Sequence, residues 1–172
     1  MSDGNVMRIY DGLPSYGRAL VIVGGLGVIA WTGFMVYNGI DRRIKNKKAT
    51  EKANETLRAT GGALADLSAK GVHPSFSDAQ YKVWADQLEA CFQGWGTCYV
   101  YKDVFESLKN DADVVRLIQA YGVRTISSGK WNPTPDYVGG LSGILTEELN
   151  SLEVIGLMNR MEERGIKFKI LG

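Results

Sequence analysis

"ALVIVGGLGVIAWTGFMVYNGI", Ala19–Ile40, contains no charged residue, and its reading decides the fold. In helical form it spans about 33 Å at ~1.5 Å per residue, enough to cross a hydrocarbon core of ~30 Å. A core helix of a soluble fold carries polar residues on one face; here Thr32 and Asn38 are nearly the only ones. Gly24, Gly25, Gly27, Gly33 and Gly39 would weaken a helix in water, yet glycine is common in helices within membranes. The apolar part of a cleaved signal peptide is usually ~7–15 residues and starts beside a charged N-terminus. This stretch is longer than that. It reads as a transmembrane helix.

The flanks supply an orientation. "DRRIKNKKATEK" follows the stretch and holds Arg42, Arg43, Lys45, Lys47, Lys48 and Lys52, whereas only Arg8 and Arg18 precede it. The positive-inside bias then places the N-terminus outside and the C-terminal bulk in the cytoplasm. The same six residues suit anionic headgroups, at ~1 kcal/mol for each one near the surface. Charge divides along the chain as well. Residues 1–71 hold ten Lys/Arg and six Asp/Glu, a net of +4; the totals of 20 and 19 leave ten and thirteen for residues 72–172, a net of −3. A mildly acidic domain is a poor nucleic-acid binder, because such binding rests on neutralised phosphates.

Beyond the apolar stretch, "NKKATEKANETLRATGGALADLSAKG" reads as a polar helical stalk, broken or loosened at Gly61-Gly62. Its apolar positions Ile44, Leu57, Leu64 and Leu67 are too sparse for a sustained heptad seam. The expected organisation is a short extracytoplasmic N-terminus over 1–18, the span over 19–40, a basic stalk over 41–71, and a helical domain over 72–172. In that domain Ser77 caps a helix whose face carries Tyr81, Trp84, Leu88, Cys91 and Phe92. Thr97 caps a second, with Tyr101, Val104, Phe105 and Leu108; Asn110 or Asp111 caps a third, with Val114, Leu117, Ile118 and Tyr121. "TISSGKWNPTPDYVGG" reads as a loop, since Pro133 and Pro135 forbid helix. Leu141, Leu145 and Leu149 mark a fourth helix, and Asn150 with Glu153 forms a capping box for a fifth. The fold class is all-α.

The stretches "LEACFQGWGTCYVYKDVFESL", "VVRLIQAYG" and "LSGILTEELNSLEVIGLMNRM" together resemble one annexin repeat, and the chain is similar to membrane-anchored annexin-like proteins of bacteria and phages. The resemblance implies a five-helix unit with a Gly-x-Gly-Thr turn between its first two helices. It also implies calcium held by backbone carbonyls of Gly94, Gly96 and Thr97, with the carboxylate of Glu148 closing the site. Calcium needs six to eight oxygens, and glycines let carbonyls converge. Cys98 and Tyr99 stand where annexins usually carry acidic residues, and the loop before the fourth helix is longer. The alternative reading of Gly94-Trp95-Gly96-Thr97 is a plain turn between helices.

Cys91 and Cys98 lack CxxC spacing and are read as free thiols of a reducing compartment. His73, the one histidine, precedes Pro74 in the linker and is poorly placed for a catalytic triad. No Walker lysine loop is present, and neighbouring Glu147 and Glu148 diverge around a helix. The expectation is therefore a non-enzymatic, single-pass membrane protein presenting a small interaction domain, with Trp95 and Trp131 as partner contacts. The alternatives are a structural protein of a virion with an internal membrane, meeting capsid or other membrane proteins, and a calcium-dependent adaptor.

Overall fold

The computed structural model describes residues 15–93, 99–127, 136–168 and 170, with side chains from residue 40 onward. Contacts divide the chain into two units, Met1–Asp41 and Arg42–Gly172. Helix α1 covers Ser15–Ala69. The apolar stretch falls almost wholly on residues whose side chains lie outside the described set. Among the described residues, no helix is long and apolar enough to cross a membrane.

The second unit begins at Arg42, so residues 42–71, expected as a basic polar stalk, fall in the same unit as residues 72–172. One face of α1 makes this possible. Arg42, Asn46, Ala49, Ala53, Leu57 and Thr60 recur every three or four residues, the period of a helix face. Ala53 and Thr60 are buried, and Ala49 and Leu57 pack on the core. Thr60 Oγ1 donates to Leu57 O at 2.8 Å, which satisfies the buried hydroxyl. Gly61 and Gly62 do not break the helix; each costs about 1 kcal/mol relative to alanine, and the buried seam just before them offsets that cost. The helix ends at Gly71 (φ 77°), where Val72 N donates to Leu67 O at 2.9 Å and Gly71 N to Ser68 O at 3.0 Å. That pair of bonds is the Schellman stop.

Five further helices follow: α2 (Asp78–Phe92), α3 (Val100–Ser107), α4 (Asp111–Tyr121), α5 (Leu141–Glu148) and α6 (Ser151–Glu163). Local chemistry sets most of their ends. Ser77 Oγ accepts Gln80 N, Asn110 Oδ1 accepts Asp113 N, and Asn150 with Glu153 closes a capping box. The second helix departs from expectation. Its N-cap is Tyr99, without a side-chain cap bond, and Thr97 lies outside the described residues. Gly165 (φ 80°) stops α6, and Ile166 N donates to Met161 O at 3.0 Å.

The core joins Tyr81 and Leu88 of α2, Tyr101 and Phe105 of α3, and Leu117 of α4 to Leu141, Ile144, Leu145 and Leu157 of α5 and α6. The segment expected as a loop contains a hairpin instead. Strands β1 (Arg124–Ile126) and β2 (Tyr137–Gly139) pair antiparallel, with Thr125 opposite Val138. Ile126 and Tyr137 are buried, so the pairing is held by its inward face. Pro133 and Pro135 lie outside the described residues.

Candidate functional site

The base of α1 meets the hairpin and α5 through polar as well as small residues. Asn46 Nδ2 donates to Asp136 O at 2.6 Å, and Asn46 Oδ1 accepts Val138 N at 3.2 Å. One side-chain amide thus imitates a neighbouring strand along the outer edge of β2, which would otherwise offer unpaired backbone groups. Next to it, Arg42 lies 5.2 Å from the centroid of the Tyr137 ring and pairs with Glu147 at 3.2 Å. The Tyr137 ring covers Gly139 and Gly143, where a Cβ would collide with it. A Cβ on Gly140 would come within 2.9 Å of Ala53 Cβ, so backbone and helix approach closely here.

This geometry splits the basic cluster. Arg42 is half-buried and serves the fold. Arg43, Lys45, Lys47, Lys48 and Lys52 are exposed. Lys47 and Lys48 stand with Ile44 on the face of α1 away from the buried seam, and Lys52 lines a groove beside Phe168.

Of the residues expected to hold calcium, Gly94, Gly96 and Thr97 lie outside the described set, as do the expected partner contacts Trp95 and Trp131. Glu148 ends α5 with its side chain reaching solvent. Partial desolvation, then the adjacent Glu147 carboxylate, raises its carboxyl above the usual range, while Arg42 acts the other way. Glu147, not Glu148, takes the ion pair with Arg42, as expected for side chains that diverge around a helix. Among the described residues, no three His, Cys, Asp or Glu side chains gather into a metal-holding group.

The expectation of free thiols is overturned. Cys91 is disulfide-bonded, and no free cysteine occurs among the described residues. The spacing argument spoke against a disulfide framework or a zinc site, but it had no force against a single bridge.

A buried carboxylate that pattern reading missed ties the linker to the core. Asp113 is 0% exposed. It accepts Ser75 N at 2.6 Å, the Tyr81 hydroxyl at 2.6 Å and Lys109 N at 2.7 Å. Burial pushes its carboxyl up, but these donors outweigh burial and hold it below the usual range. Burial and the Asp113 hydrogen bond push the Tyr81 phenol well above its ordinary value. The local signal was an acid in the first turn of α4. On the other side, Arg124 pairs with Asp86 at 2.8 Å and with Glu89, and lies 5.0 Å from the Tyr121 ring centroid. It fastens β1 to α2 and α4.

The outer surface of α6 carries Leu152 (80% exposed) and, one turn on, Ile155 (54%). Leu152 lines a shallow pocket of about 260 Å³ with Tyr101, Lys102 and Glu153, and Lys102 Nζ lies 4.9 Å from the centroid of the Tyr99 ring. Tyr99 is 60% exposed. No reading of helix periodicity singled these residues out, because exposed apolar positions break the periodic pattern rather than follow it.

No family model, curated protein or solved structure matches this chain.

Proposed function

We propose that the chain is a non-enzymatic, single-pass membrane protein that presents its Arg42–Gly172 unit as a small helical module for contact with another protein. The observation that carries this reading is the uncharged stretch Ala19–Ile40, followed within two residues by the start of a compact body. Arg42 and Asn46 are already engaged with that body. The segment after the uncharged stretch is therefore a fitted part of the module, not a slack tether.

Exposed Arg43, Lys47 and Lys48 supply cations to anionic headgroups beside the span. Tyr99, Leu152 and Ile155 offer apolar area to the protein partner, while Trp95 and Trp131, the contacts expected from the sequence, lie outside the described residues. The order of five helices from α2 to α6 supports the annexin-repeat-like reading of the module, and the hairpin between α4 and α5 is a departure from it. No observation among the described residues favours calcium over the protein-contact reading.

The test is alkaline carbonate extraction of membranes from cells making the full chain. Retention in the pellet, with release by detergent, is the expected result, and replacing Val28 and Ile29 by Lys should shift the chain to the supernatant. Recovery of the unmutated chain in the supernatant would refute the reading.

A further inference from the structure

Leu152, Gly156 and Arg160 follow one another at four-residue spacing, one stripe of α6, and line a pocket with Tyr101 and Lys102 of α3. The fold leaves much of this lining uncommitted. Tyr101 is 0% exposed, yet its hydroxyl has no hydrogen-bond partner among the described residues. A buried donor without an acceptor is a cost that packing alone does not remove. Lys102 Nζ lies 4.9 Å from the Tyr99 ring centroid and 5.8 Å from that of Tyr101, and makes no ion pair among the described residues. Arg160 Nε stands 4.0 Å from Glu106 Oε1, the outer limit of an ion pair.

The one acid of the lining is already engaged. Glu153 faces the Tyr101 phenol, but its Oε2 accepts Asn150 N at 3.0 Å and closes the capping box of α6. Gly156 leaves the floor open, since a Cβ there would meet nothing within 4 Å. At about 260 Å³ the space is smaller than the ~300–1,000 Å³ usual for small-molecule sites. Its wall is the 80% exposed Leu152. A carboxylate beside an apolar side chain would complement the two cations, the unpartnered hydroxyl and that wall together.

We propose that this pocket docks a segment of the partner protein in which an apolar residue adjoins an aspartate or glutamate. The apolar side chain lies along Leu152 over Gly156, and the carboxylate pairs with Lys102 and accepts from the Tyr101 hydroxyl. The inference rests on the protein-contact reading and adds to it the chemistry of the segment that is held.

The experiment titrates the full chain, in nanodiscs of zwitterionic lipid, with three acetylated and amidated tetrapeptides: glycine–leucine–aspartate–glycine, the same with lysine for aspartate, and the same with glycine for leucine. The first should bind most tightly, by about tenfold over the peptide without leucine. Lys102→Gln should weaken it by roughly two- to fivefold, the range of an exposed ion pair, and erase the preference for aspartate over lysine. Gly156→Met fills the floor and should abolish binding while Tm holds or rises, because methionine favours helix over glycine. Tyr101→Phe should weaken binding with Tm unchanged or raised, whereas a merely structural hydroxyl would lower Tm and leave the affinity alone.

Equal affinity for the three peptides, no binding of any, or binding indifferent to Gly156→Met would overturn the inference. Self-association of the chain that Gly156→Met abolishes, without peptide selection, would also overturn it and give the surface to a second copy. A photoreactive phenylalanine analogue in place of Ile155, irradiated in cells, separates this failure from that of the underlying reading. A protein adduct without peptide selection overturns the assigned chemistry and leaves the protein-contact reading standing; absence of any adduct overturns the contact reading and the inference with it.

Discussion

The side chain of Asn46 completes the hydrogen bonding of β2 at Val138, accepting its N–H at 3.2 Å while donating to Asp136 O at 2.6 Å. An amide on a helix thereby does for an edge strand what another strand would do. This contact, with Arg42–Glu147 and the close approach of Ala53 to Gly140, makes the base of α1 part of the folded module.

Asn46→Leu should cost about 1–3 kcal/mol, because both backbone groups lose their partner and the replacement offers none. Thermal unfolding of the detergent-solubilised chain would show this as a lowered Tm. Lys47→Ala, on the exposed face of the same helix, should stay within about 0.5 kcal/mol of the parent.

The Ala53–Gly140 contact predicts intolerance of volume. Gly140→Val or Ala53→Leu forces α1 away from the body, at about 1–3 kcal/mol for overpacking. Denaturant titration should show a lower midpoint for either variant, while Gly62→Ala, where a Cβ meets nothing within 4 Å, should be neutral or stabilising.

Asp113 gives the fold an acid limit. Its folded carboxyl lies below the usual range, so the unfolded state binds the proton more tightly. The resulting stability is fully present above the unfolded carboxylate pKa of ~3.9 and is lost as pH falls through the lower folded value. Asp113→Asn should flatten that acid limb in Tm measured against pH, and should lower stability at neutral pH because a carboxylate oxygen is replaced by an amide donor facing Ser75 N or Lys109 N.

Reduction of the Cys91 disulfide should destabilise the module by roughly 2–4 kcal/mol, the usual range for a native bridge. The expected reading is a Tm lowered by reductant in the parent and unaffected by it in Cys91→Ser. Equal sensitivity of both proteins to reductant would contradict this.

How much of this was legible in the sequence follows from where the information sits. Ser77, Asn110 and the Asn150–Glu153 box announce α2, α4 and α6 because a cap acts within three residues of itself. The apolar faces of those helices carry large side chains at helical spacing, and they pack as that pattern implies. The seam on α1 was hidden because Ala49, Ala53 and Thr60 contribute close approach rather than hydrophobic bulk. The hairpin was hidden because three-residue strands are too short to show alternation, and Asn46, which bonds its outer edge, is more than ninety positions away in the chain from Val138. Within the candidate site, Glu148 was legible only through the annexin resemblance. Tyr99, Leu152 and Ile155 became visible only once the folded surface was known.

The central claim is that a bilayer is the solvent of Ala19–Ile40, and sedimentation of the purified full chain with and without detergent tests it most directly. The account predicts a defined species in detergent or nanodiscs and aggregation once both are withdrawn. A monodisperse 18.9 kDa monomer in plain buffer would contradict it.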